Sequence, residues 1–370
     1  MRVPLVILSF LVVSCGISLP DDDSGSVRLD ELTLPPGFHV ERFSDQLPEA
    51  RSLALSDQGT LFVGTRETNR VFALRDENGD GRAETVHTVA SGLDTPNGVA
   101  VLEGDLYVAE ISRILRYEDI DRNLATPPDP VVVTDDFPSD DHHGWKYIGV
   151  GPNDSLYVPV GAPCNICDPG RPYAAIYRLA PDGSGRTLVA RGVRNTVGFD
   201  WHPGTGELWF TDNGRDWMGD DQPPDELNRV RVPGQHFGYP HVHGRDLLDP
   251  EFGEGHDASE YVAPVQELGA HVAALGMTFY TGTQFPAPYR GQIIIAEHGS
   301  WNRSNKVGYR LSIVRLDEDG TAESYEPFVT GWLQGDENWG RPVDVLQTPD
   351  GALLVSDDQT GSIYRITYKK

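Results

Sequence analysis

The fold is decided by a stretch of alternating apolar residues, which reads NGVAVLEGDLYVAEISRILRY at residues 97–117. It contains three short apolar runs, and the turn between the first two carries Gly and Asp, as is typical of consecutive antiparallel strands. The same unit recurs six times, with a corresponding Leu or Ile at Leu61, Leu106, Leu156, Leu208, Ile293 and Leu353. These repeats predict an all-β chain built from six similar units.

Six such units favour a six-bladed β-propeller. A sheet of three or four antiparallel strands cannot bury its own apolar face, so neighbouring units must pack together, and closure into a ring removes exposed edges. We expect the early strand at residues 37–43 to pair with the sixth unit and to close the ring. An open solenoid is the alternative, but it would require capping units that the sequence does not show.

The composition is that of an acidic globular protein. The chain has 370 residues, 38% of them hydrophobic, and a formal net charge of -26. Such a chain can bury a sizeable core. Its acidity argues against unassisted binding to nucleic acid phosphates, which requires a locally basic surface. We attribute the acidity to solubility, or to a salty medium, rather than to an acidic recognition face.

Residues 1–15 are similar to a bacterial lipoprotein signal peptide. An apolar run too short to span a bilayer follows Arg2, and Cys15 stands where such peptides are cleaved and lipidated. An ordinary secretory signal, with Cys15 incidental, is the alternative. Both predict an exported protein, periplasmic or on the outer surface, and the first adds a lipid anchor as its link to the membrane. We predict an acidic, solvated tether at 16–34 and a single propeller domain at 35–370.

Two further cysteines, Cys164 and Cys167, form a C-x-x-C pair. In an oxidising compartment we favour a local disulfide between them. A zinc site would need a second pair of ligands at matching spacing, and covalent haem attachment would need a His where the chain has Asp168. Both of these alternatives are therefore disfavoured.

Polar residues precede the first strand of each unit. A propeller places its ligands at the mouth of the central channel, and the loops that lead into the innermost strands carry Arg51, Asn97, His143, Arg194, Asn195, His271 and Arg341. Arginines that converge on one mouth suggest an anionic ligand with carboxylates, because a guanidinium group matches a carboxylate with two parallel hydrogen bonds. The alternative is that each arginine pairs with an Asp or Glu of a neighbouring unit.

His143 is the candidate general base. It stands at the entry to a strand with Gly144 beside it, and the ordinary pKa of histidine lies close to working pH. The alternative is a surface or hydrogen-bonded structural histidine, and His142 is a rival for the role of base.

Five motifs resemble the soluble PQQ-dependent sugar dehydrogenases, in particular their sorbosone and pyranose dehydrogenase-like branch. The motifs are DHH at 141–143, GVRN at 192–195, FTDNGRD at 210–216, EHGSWNR at 297–303 and GRPVDV at 340–345. They occur in this order on the six-unit frame. The resemblance implies a six-bladed propeller that holds PQQ, a tricarboxylated quinone, on a Ca2+ ion.

The resemblance also implies roles for single residues. His143 matches the catalytic base, which takes the hydroxyl proton of the sugar while a hydride passes to the quinone. The residues that match cofactor contacts, or are further candidates for them, are Arg194, Asn195, Arg341, Asn97, Arg303 and Arg66. The backbone carbonyls of Gly214 and Arg215 fall where the calcium ligands of the family lie. Calcium would polarise the quinone carbonyl that accepts the hydride.

The chain departs from the family at Ala162, where glucose-oxidising members have an Asp that supports the base. Either Asp140 or Asp141 orients His143 here, or the basicity of His143 is set differently. This departure also bears on whether PQQ binding is retained.

Two other regions have no strong family counterpart. The insertion at 219–271 is rich in histidine, but His241 and His243 form its only close pair, and we interpret its histidines as polar loop residues. The stretch DENGDGR at 76–82 imitates the start of a calcium loop, yet His87 stands at the twelfth position where such loops have Glu. We interpret it mainly as a hairpin turn, with a weak calcium site as the alternative.

The sequence therefore predicts a PQQ-dependent dehydrogenase that oxidises an aldose or related polyhydroxy aldehyde. Its partners would be the sugar and a respiratory electron acceptor, a cytochrome or a quinone. Two alternatives stay open. A calcium-dependent propeller lactonase or esterase would need acidic and amide side chains directed at a metal in the channel, and a non-catalytic propeller would bind sugars or proteins without any quinone.

Overall fold

The structure is a computed structural model that describes residues 26–45 and 47–369, and its sheets form a six-bladed β-propeller. The predicted fold class is confirmed. The predicted signal peptide and Cys15 lie outside the described residues. No helix within the described ranges is long and apolar enough to cross a membrane.

The N-terminal strand β1 (Phe38–Ser44) belongs to the last blade. The first three blades follow it along the chain. Their strands are, for blade 1, β2 (Leu53–Leu55), β3 (Leu61–Val63), β4 (Arg70–Arg75) and β5 (Thr85–Ser91); for blade 2, β6 (Gly98–Leu102), β7 (Asp105–Ala109), β8 (Ile114–Tyr117) and β9 (Val131–Thr134); and for blade 3, β10 (Gly149–Val150), β11 (Leu156–Val160), β12 (Ala175–Leu179) and β13 (Thr187–Arg191).

The second half of the chain is less regular. Its strands are β14 (Phe199–Trp201), β15 (Leu208–Asp212), β16 (Pro224–Arg229), β17 (Gln235–His236), β18 (Val242–His243), β19 (Leu247–Leu248), β20 (Gln266–Ala270), β21 (Ala274–Phe279), β22 (Ile293–Glu297), β23 (Arg310–Leu316), β24 (Ala322–Val329), β25 (Leu333–Gln334), β26 (Glu337–Asn338), β27 (Pro342–Gln347), β28 (Leu353–Asp357) and β29 (Ser362–Tyr368). Short 3-10 helices occupy Leu29–Glu31, Ile120–Arg122, Ala258–Glu260 and Ala287–Tyr289.

Blade 4 consists of β14, β15, β16 and β20, and blade 5 of β21 to β24. Blade 6 has the order β1-β29-β28-β27, so the first strand pairs antiparallel with the last, as the sequence predicts. The predicted polar insertion at 219–271 is more structured than expected. It supplies β20 to blade 4, the hairpin β18-β19, and β17, which pairs parallel with β13 at the edge of blade 3.

Each pair of neighbouring blades shares an apolar core. Tyr107 of blade 2 packs with Val158 of blade 3, and Leu61 and Phe72 of blade 1 pack with Leu354 of blade 6. Four further clusters join blades 1 and 2, 3 and 4, 4 and 5, and 5 and 6. Burial of this apolar surface is the main force that holds the blades together. Since blade 6 packs on blade 1, the ring of packed blades is continuous.

The predicted tether at 16–34 is shorter than expected. In its described part, Leu32 is buried in the core between blades 5 and 6, and Thr33 forms an antiparallel bridge with Thr330. The apolar side chains of Val27, Leu29 and Leu34 explain the difference, because they pack against the same core. Packing onto the propeller therefore begins ahead of the predicted boundary at residue 35.

Candidate active site

A cavity of about 240 Å3 opens where the chain enters the innermost strands of the propeller. The loops before β2, β10, β14 and β21 and those after β3, β15 and β22 surround it. Its lining is rich in Arg and His and comprises Arg51, Arg66, His143, Trp145, Arg194, Asn195, Val197, Asn213, Gly214, Asp216, Asp225, His271, Ala273, Leu275, His298, Gly299 and Trp301. The predicted convergence of basic residues at one mouth is thus observed for five of the residues that precede first strands: Arg51, His143, Arg194, Asn195 and His271.

His143 is held by the backbone of a neighbouring strand end. Its Nδ1 atom lies 2.8 Å from the carbonyl oxygen of Ala162. Gly161 permits this approach, because a Cβ atom at that position would lie 2.6 Å from the Cβ of His143. His143 itself has a φ of 50°, an uncommon conformation for a residue with a side chain.

The surroundings of His143 keep its ring neutral. Burial holds the pKa of His143 well below its usual range, and the nearby Arg194 and His142 lower that pKa further. A neutral ring that hydrogen-bonds a carbonyl through Nδ1 must carry its proton there. Nε2 then carries no proton and can accept one, as a general base must.

The two aspartates considered as partners for His143 do not contact its ring. Asp140 accepts a hydrogen bond from the hydroxyl of Tyr173 at 2.5 Å, and only the backbone of Asp141 is engaged, by the amide of Gly144. The departure at Ala162 is therefore compensated by the carbonyl of Ala162 itself. His142 packs its ring against that of His143, with centroids 4.1 Å apart, but does not line the cavity.

Arg51 and Arg66 face the cavity in different ways. Arg51 is buried and ion-paired with Asp358 at 2.8 Å, and it donates to Asn97 at 2.7 Å. Arg66 lies over the ring of Trp145 at 4.1 Å, and its guanidinium forms no ion pair or hydrogen bond with any described residue. Among the arginines that line the cavity, Arg66 therefore has the most hydrogen-bonding capacity left for a ligand.

Arg194 is positioned by a loop closed by a disulfide. Cys164 and Cys167 are bonded, and Asn165, which lies between them, accepts from Arg194 through its backbone oxygen at 3.1 Å and its side chain at 2.7 Å. The carboxylate of Asp216 lies 3.9 Å from the guanidinium. The side chain of the adjacent Asn195 makes no hydrogen bond to another described residue.

Three predicted cofactor residues do not line the cavity. Asn97 is fully buried and supports Arg51 from behind, donating to the carbonyl of Lys146 at 3.0 Å. Arg341 lies beside Asp358 at 3.2 Å. Arg303 donates to the carbonyl of Asp220, which ties two surface loops together. In each case a partner from a distant part of the chain, absent from the local sequence pattern, engages the side chain.

Asp358 is an acidic group that sequence reasoning missed. His298 lies 3.0 Å from its carboxylate, and Arg51 and Arg341 contact the same group. Although burial alone would raise the pKa of Asp358, these three basic partners hold it below its usual range. The cluster therefore fixes Arg51 and His298 at the wall of the cavity. Only the position of His298 in the EHGSWNR motif pointed to this arrangement.

His271 and Asp216 form a second missed pair. Their side chains lie 3.6 Å apart, and His271 also bonds the carbonyl of Gly219 at 2.8 Å. The contact with Asp216 raises the pKa of His271, so this histidine is more readily protonated than His143. Of the three histidines that line the cavity, burial lowers the pKa of His143 and His298, whereas the contact with Asp216 raises the pKa of His271.

A small pocket of about 10 Å3, room for one water molecule or one ion, adjoins the cavity. Asp212 and Glu226 line it, and Gly214 borders both this pocket and the main cavity. Burial raises the pKa of Asp212 to about 7 and that of Glu226 to about 8. Crowded, buried carboxyl groups of this kind are the oxygen donors that a hard cation prefers. The guanidinium of the adjacent Arg215 is engaged elsewhere, by Asp249 at 2.7 Å.

The other candidate metal groups lie apart from the cavity. Asp76, Asp80 and Glu84 bring carboxylate oxygens within 4.8 Å of one another in the turn between β4 and β5, so the predicted hairpin turn is observed. His241 stacks on His256 at 3.8 Å, whereas His243 bonds Asp249 at 2.9 Å. The two histidines of the close pair therefore have different partners, and His243 is a buried residue of strand β18 rather than a loop residue.

The comparisons with known proteins agree with this architecture. An uncharacterized protein of Borreliella burgdorferi is 33% identical over 380 residues, which cover 99% of this chain and 97% of that protein. Among solved structures, the calcium structure of a Trichoderma reesei family AA12 enzyme has a TM-score of 0.80 at 20% identity, covering 91% of this chain and 97% of that chain. The holo form of the pyranose dehydrogenase PQQ domain of Coprinopsis cinerea has a TM-score of 0.77 at 18% identity, with the same coverage.

A PQQ-bound aldose sugar dehydrogenase of Streptomyces coelicolor has a TM-score of 0.65 at 19% identity, covering 91% of this chain and all of that chain. At these identities the structural matches establish the fold. The sequence family described as glucose/sorbosone dehydrogenase matches residues 131–365, which contain His143, the whole of blades 3, 4 and 5, and much of blade 6. This chain therefore belongs to the glucose/sorbosone dehydrogenase family.

Proposed function

We propose that the protein is an exported quinoprotein that oxidises an aldose or related polyhydroxy aldehyde, using PQQ and Ca2+. The observation that carries the proposal is the placement of a neutral, backbone-oriented His143 in one cavity with three arginines, Arg51, Arg66 and Arg194. A base beside a cationic pocket suits a reaction that removes a hydroxyl proton next to a bound polyanion. Membership of the family supports sugar dehydrogenase activity in general.

The residues of the cavity fit a tricarboxylated quinone. Arg66 has a buried Nε without a partner among the described residues, and the indole N–H of Trp145 is likewise buried without one. Buried donors of this kind carry a desolvation cost of about 1–3 kcal/mol each until a ligand accepts from them. Together with Asn195 and Arg194, they form a set of donors that matches carboxylates and ring carbonyls.

In this mechanism, each step that the protein performs is assigned to a named atom or residue. The Nε2 of His143 takes the proton from the hydroxyl of the sugar carbon that is oxidised, and the Ala162 carbonyl stabilises the protonated ring through Nδ1. Arg66 and Arg194 would hold the carboxylates of the cofactor. A bound PQQ would supply the acceptor for the hydride of the same sugar carbon, which would become a carbonyl carbon.

Calcium fits the region around Gly214. The proposed ligands are the backbone carbonyls of Gly214 and Arg215, and Asp212 and Glu226 line the small pocket that Gly214 also borders. Carbonyl and carboxylate oxygens are the ligands that Ca2+ prefers. Bound there, the ion would offset the buried negative charge and polarise an adjacent carbonyl.

The proposal also covers the site of action. Residues 1–15 resemble a lipoprotein signal peptide, so we place the mature protein outside the cytoplasm, anchored through a lipid on Cys15. A cytochrome or a membrane quinone would then take the electrons. Mass spectrometry of the mature N-terminus tests this part, because an unmodified residue other than Cys15 at the N-terminus would contradict the anchor.

The decisive assay for the reaction class uses the protein without residues 1–15, supplied with PQQ and Ca2+. Aldoses should then reduce an electron-accepting dye, and omission of PQQ should abolish the reduction. The same preparation should not hydrolyse lactones. Calcium-dependent hydrolysis of lactones without PQQ, in the absence of dye reduction, would instead identify the hydrolase class.

A further inference from the structure

Two tryptophans stand exposed at the rim of the cavity. Trp301 is 72% and Trp217 is 64% exposed, the highest values among the exposed large apolar residues of the described chain. Their rings meet edge to face, with centroids 5.7 Å apart and planes at 86°. Trp301 lines the cavity, whereas Trp217 lies beyond it, so the pair forms an apolar surface that leads outward from the mouth. We call this pair the tryptophan rim.

Hydrogen bonds hold together the two loops that carry the tryptophan rim. Its two loops are joined by Arg303, which bonds the carbonyl of Asp220 and the carboxylate of Asp221, and by the amide of Ser304, which donates to Asp220 at 3.1 Å. Asn302 adds a contact to Asp216 at 3.4 Å. These bonds fix the loop after β15 against the loop after β22, immediately beside the indoles.

The backbone at Trp217 is also strained. Its φ is 69°, a left-handed conformation that a bulky side chain rarely adopts. Such a conformation costs on the order of 1–3 kcal/mol and persists where the surrounding structure imposes it, often at ligand sites. An exposed indole held in a strained conformation gains nothing from burial, which points to a role in binding.

We propose that the tryptophan rim is an outer subsite for a second sugar ring, so that the substrate is a disaccharide or short oligosaccharide oxidised at its reducing end. This inference rests on the proposed function. The C–H faces of a pyranose carry partial positive charge and pack on the negative face of an indole. A sugar ring bound beside His143 would present its next ring toward the rim, where Trp301 lines the cavity and contacts Trp217.

An electron-accepting protein is the competing occupant of this surface. A protein–protein interface buries on the order of 1,200 Å2 or more, and even weak electron-transfer contacts far exceed two indole faces. Because Trp301 is part of the cavity wall, the tryptophan rim is continuous with the cavity. This continuity favours an occupant that is covalently joined to the molecule inside the cavity. A second sugar ring meets that condition and a separate protein does not.

The test compares Trp217→Ala with wild-type protein loaded with PQQ and Ca2+. Glucose, cellobiose, maltose and lactose are assayed by dye reduction. We expect at least one disaccharide to have a higher kcat/KM than glucose. We expect Trp217→Ala to lower the ratio of the disaccharide kcat/KM to the glucose kcat/KM about tenfold. Trp217→Tyr should retain most of that ratio, and Val232→Ala, at another exposed apolar residue, should leave it unchanged. Circular dichroism confirms that each variant is folded.

Calorimetry with the same sugars, on protein without PQQ, separates the two proposals. If sugars are oxidised but Trp217→Ala lowers glucose and disaccharide values equally, the outer subsite is wrong while the proposed function stands. If no sugar is oxidised but a disaccharide binds and Trp217→Ala abolishes binding, the subsite stands and the proposed function is wrong. If neither occurs, both are wrong. A rate loss seen only with a protein electron acceptor would assign the rim to that acceptor and overturn the subsite.

Discussion

The two ends of the central channel have similar architecture and opposite charge. The candidate active site, where the chain enters the innermost strands, is lined by arginines and histidines. Further along the same strands lies a second cavity of about 320 Å3, in which the charged residues are Asp200 and Asp344, surrounded by aromatic and aliphatic side chains. Both cavities hold buried charge, yet only the first has the groups for binding a polyanion.

The difference lies in what the charged groups already bond. Asp344 accepts from the amide of Leu53 at 2.9 Å, which links blade 6 to blade 1, and Asp200 accepts from the amide of Phe279 at 2.8 Å, which links blade 4 to blade 5. These carboxyls fasten neighbouring blades. At the other end, Nε2 of His143 and the guanidinium of Arg66 have no hydrogen-bond partner among the described residues, and both face the cavity, where a ligand would satisfy them.

The largest expected effect comes from the base. His143→Ala should lower kcat/KM for sugars by about 10^2 to 10^4, the usual contribution of a general base. His142→Ala is the matched control, because its ring touches that of His143 without lining the cavity. Dye reduction at saturating PQQ measures both. An equal loss in the two variants would show that the pair acts through packing rather than through proton transfer at His143.

The next effect is on cofactor affinity. Arg66→Ala should weaken PQQ binding by about tenfold or more, because a hydrogen bond to a charged group contributes about 1.5–3 kcal/mol. The exposed Arg231→Ala provides a control for the loss of one positive charge. Fluorescence titration with PQQ measures both affinities. A similar weakening in both variants would mean that long-range charge, and not the contact at Arg66, governs binding.

At the opposite end of the channel, Asp344→Ala should change stability instead of binding. The variant leaves the amides of Leu53 and Val345 without acceptors, and we expect the free energy of unfolding to fall by about 2 kcal/mol. Urea denaturation measures the loss, and the affinity for PQQ should be unchanged. A variant that keeps its stability but no longer binds PQQ would contradict the division of roles between the two ends.

The pH dependence of stability sharpens the same contrast. Burial raises the pKa of Asp344 to about 7, above the 3.8 of an ordinary aspartate. The folded state therefore binds more protons than the unfolded state between those values, and this group lowers stability as pH rises from about 4 to 7. Asp344→Asn removes that titration, so its stability relative to wild type should rise across this window. A constant difference would show that Asp344 is ionised throughout.

The smallest expected effect is the change of kcat/KM with pH near neutrality. Burial and Arg194 lower the pKa of His143, so its base form should persist below the ordinary histidine pKa of about 6.5. We expect kcat/KM to change little between about pH 6 and 8 and to fall only at lower pH, where Nε2 becomes protonated. A steep decline already at pH 7 would contradict a neutral, buried base.

Much of the frame and part of the site follow from the sequence. Periodic apolar runs predict six blades, and position before a first strand is enough to bring Arg51, His143 and Arg194 to one cavity. The support of His143 could not be predicted, because it comes from the backbone carbonyl of Ala162, which leaves no signal in side-chain identity. Residue type alone leads one to expect a carboxylate as the partner of Nδ1 of His143.

The two predicted arginines that do not line the cavity have a common explanation. Arg341 and Arg303 have the right residue type and motif position, but acids elsewhere in the chain, Asp358 and Asp221, direct their side chains. Such long-range partners appear only once the blades are assembled. The exposure of Trp301 was equally hidden, because an apolar residue in a motif suggests burial rather than a rim.

Whether the cavity binds the cofactor can be measured by calorimetric titration of PQQ into the protein lacking residues 1–15, with Ca2+ and with EGTA. We expect one PQQ per chain in the presence of Ca2+, weaker binding when calcium is removed, and weaker binding again in Arg66→Ala. Absence of PQQ binding with Ca2+ present would contradict this expectation, and the arginines of the cavity would then be structural, like the carboxyls at the opposite end.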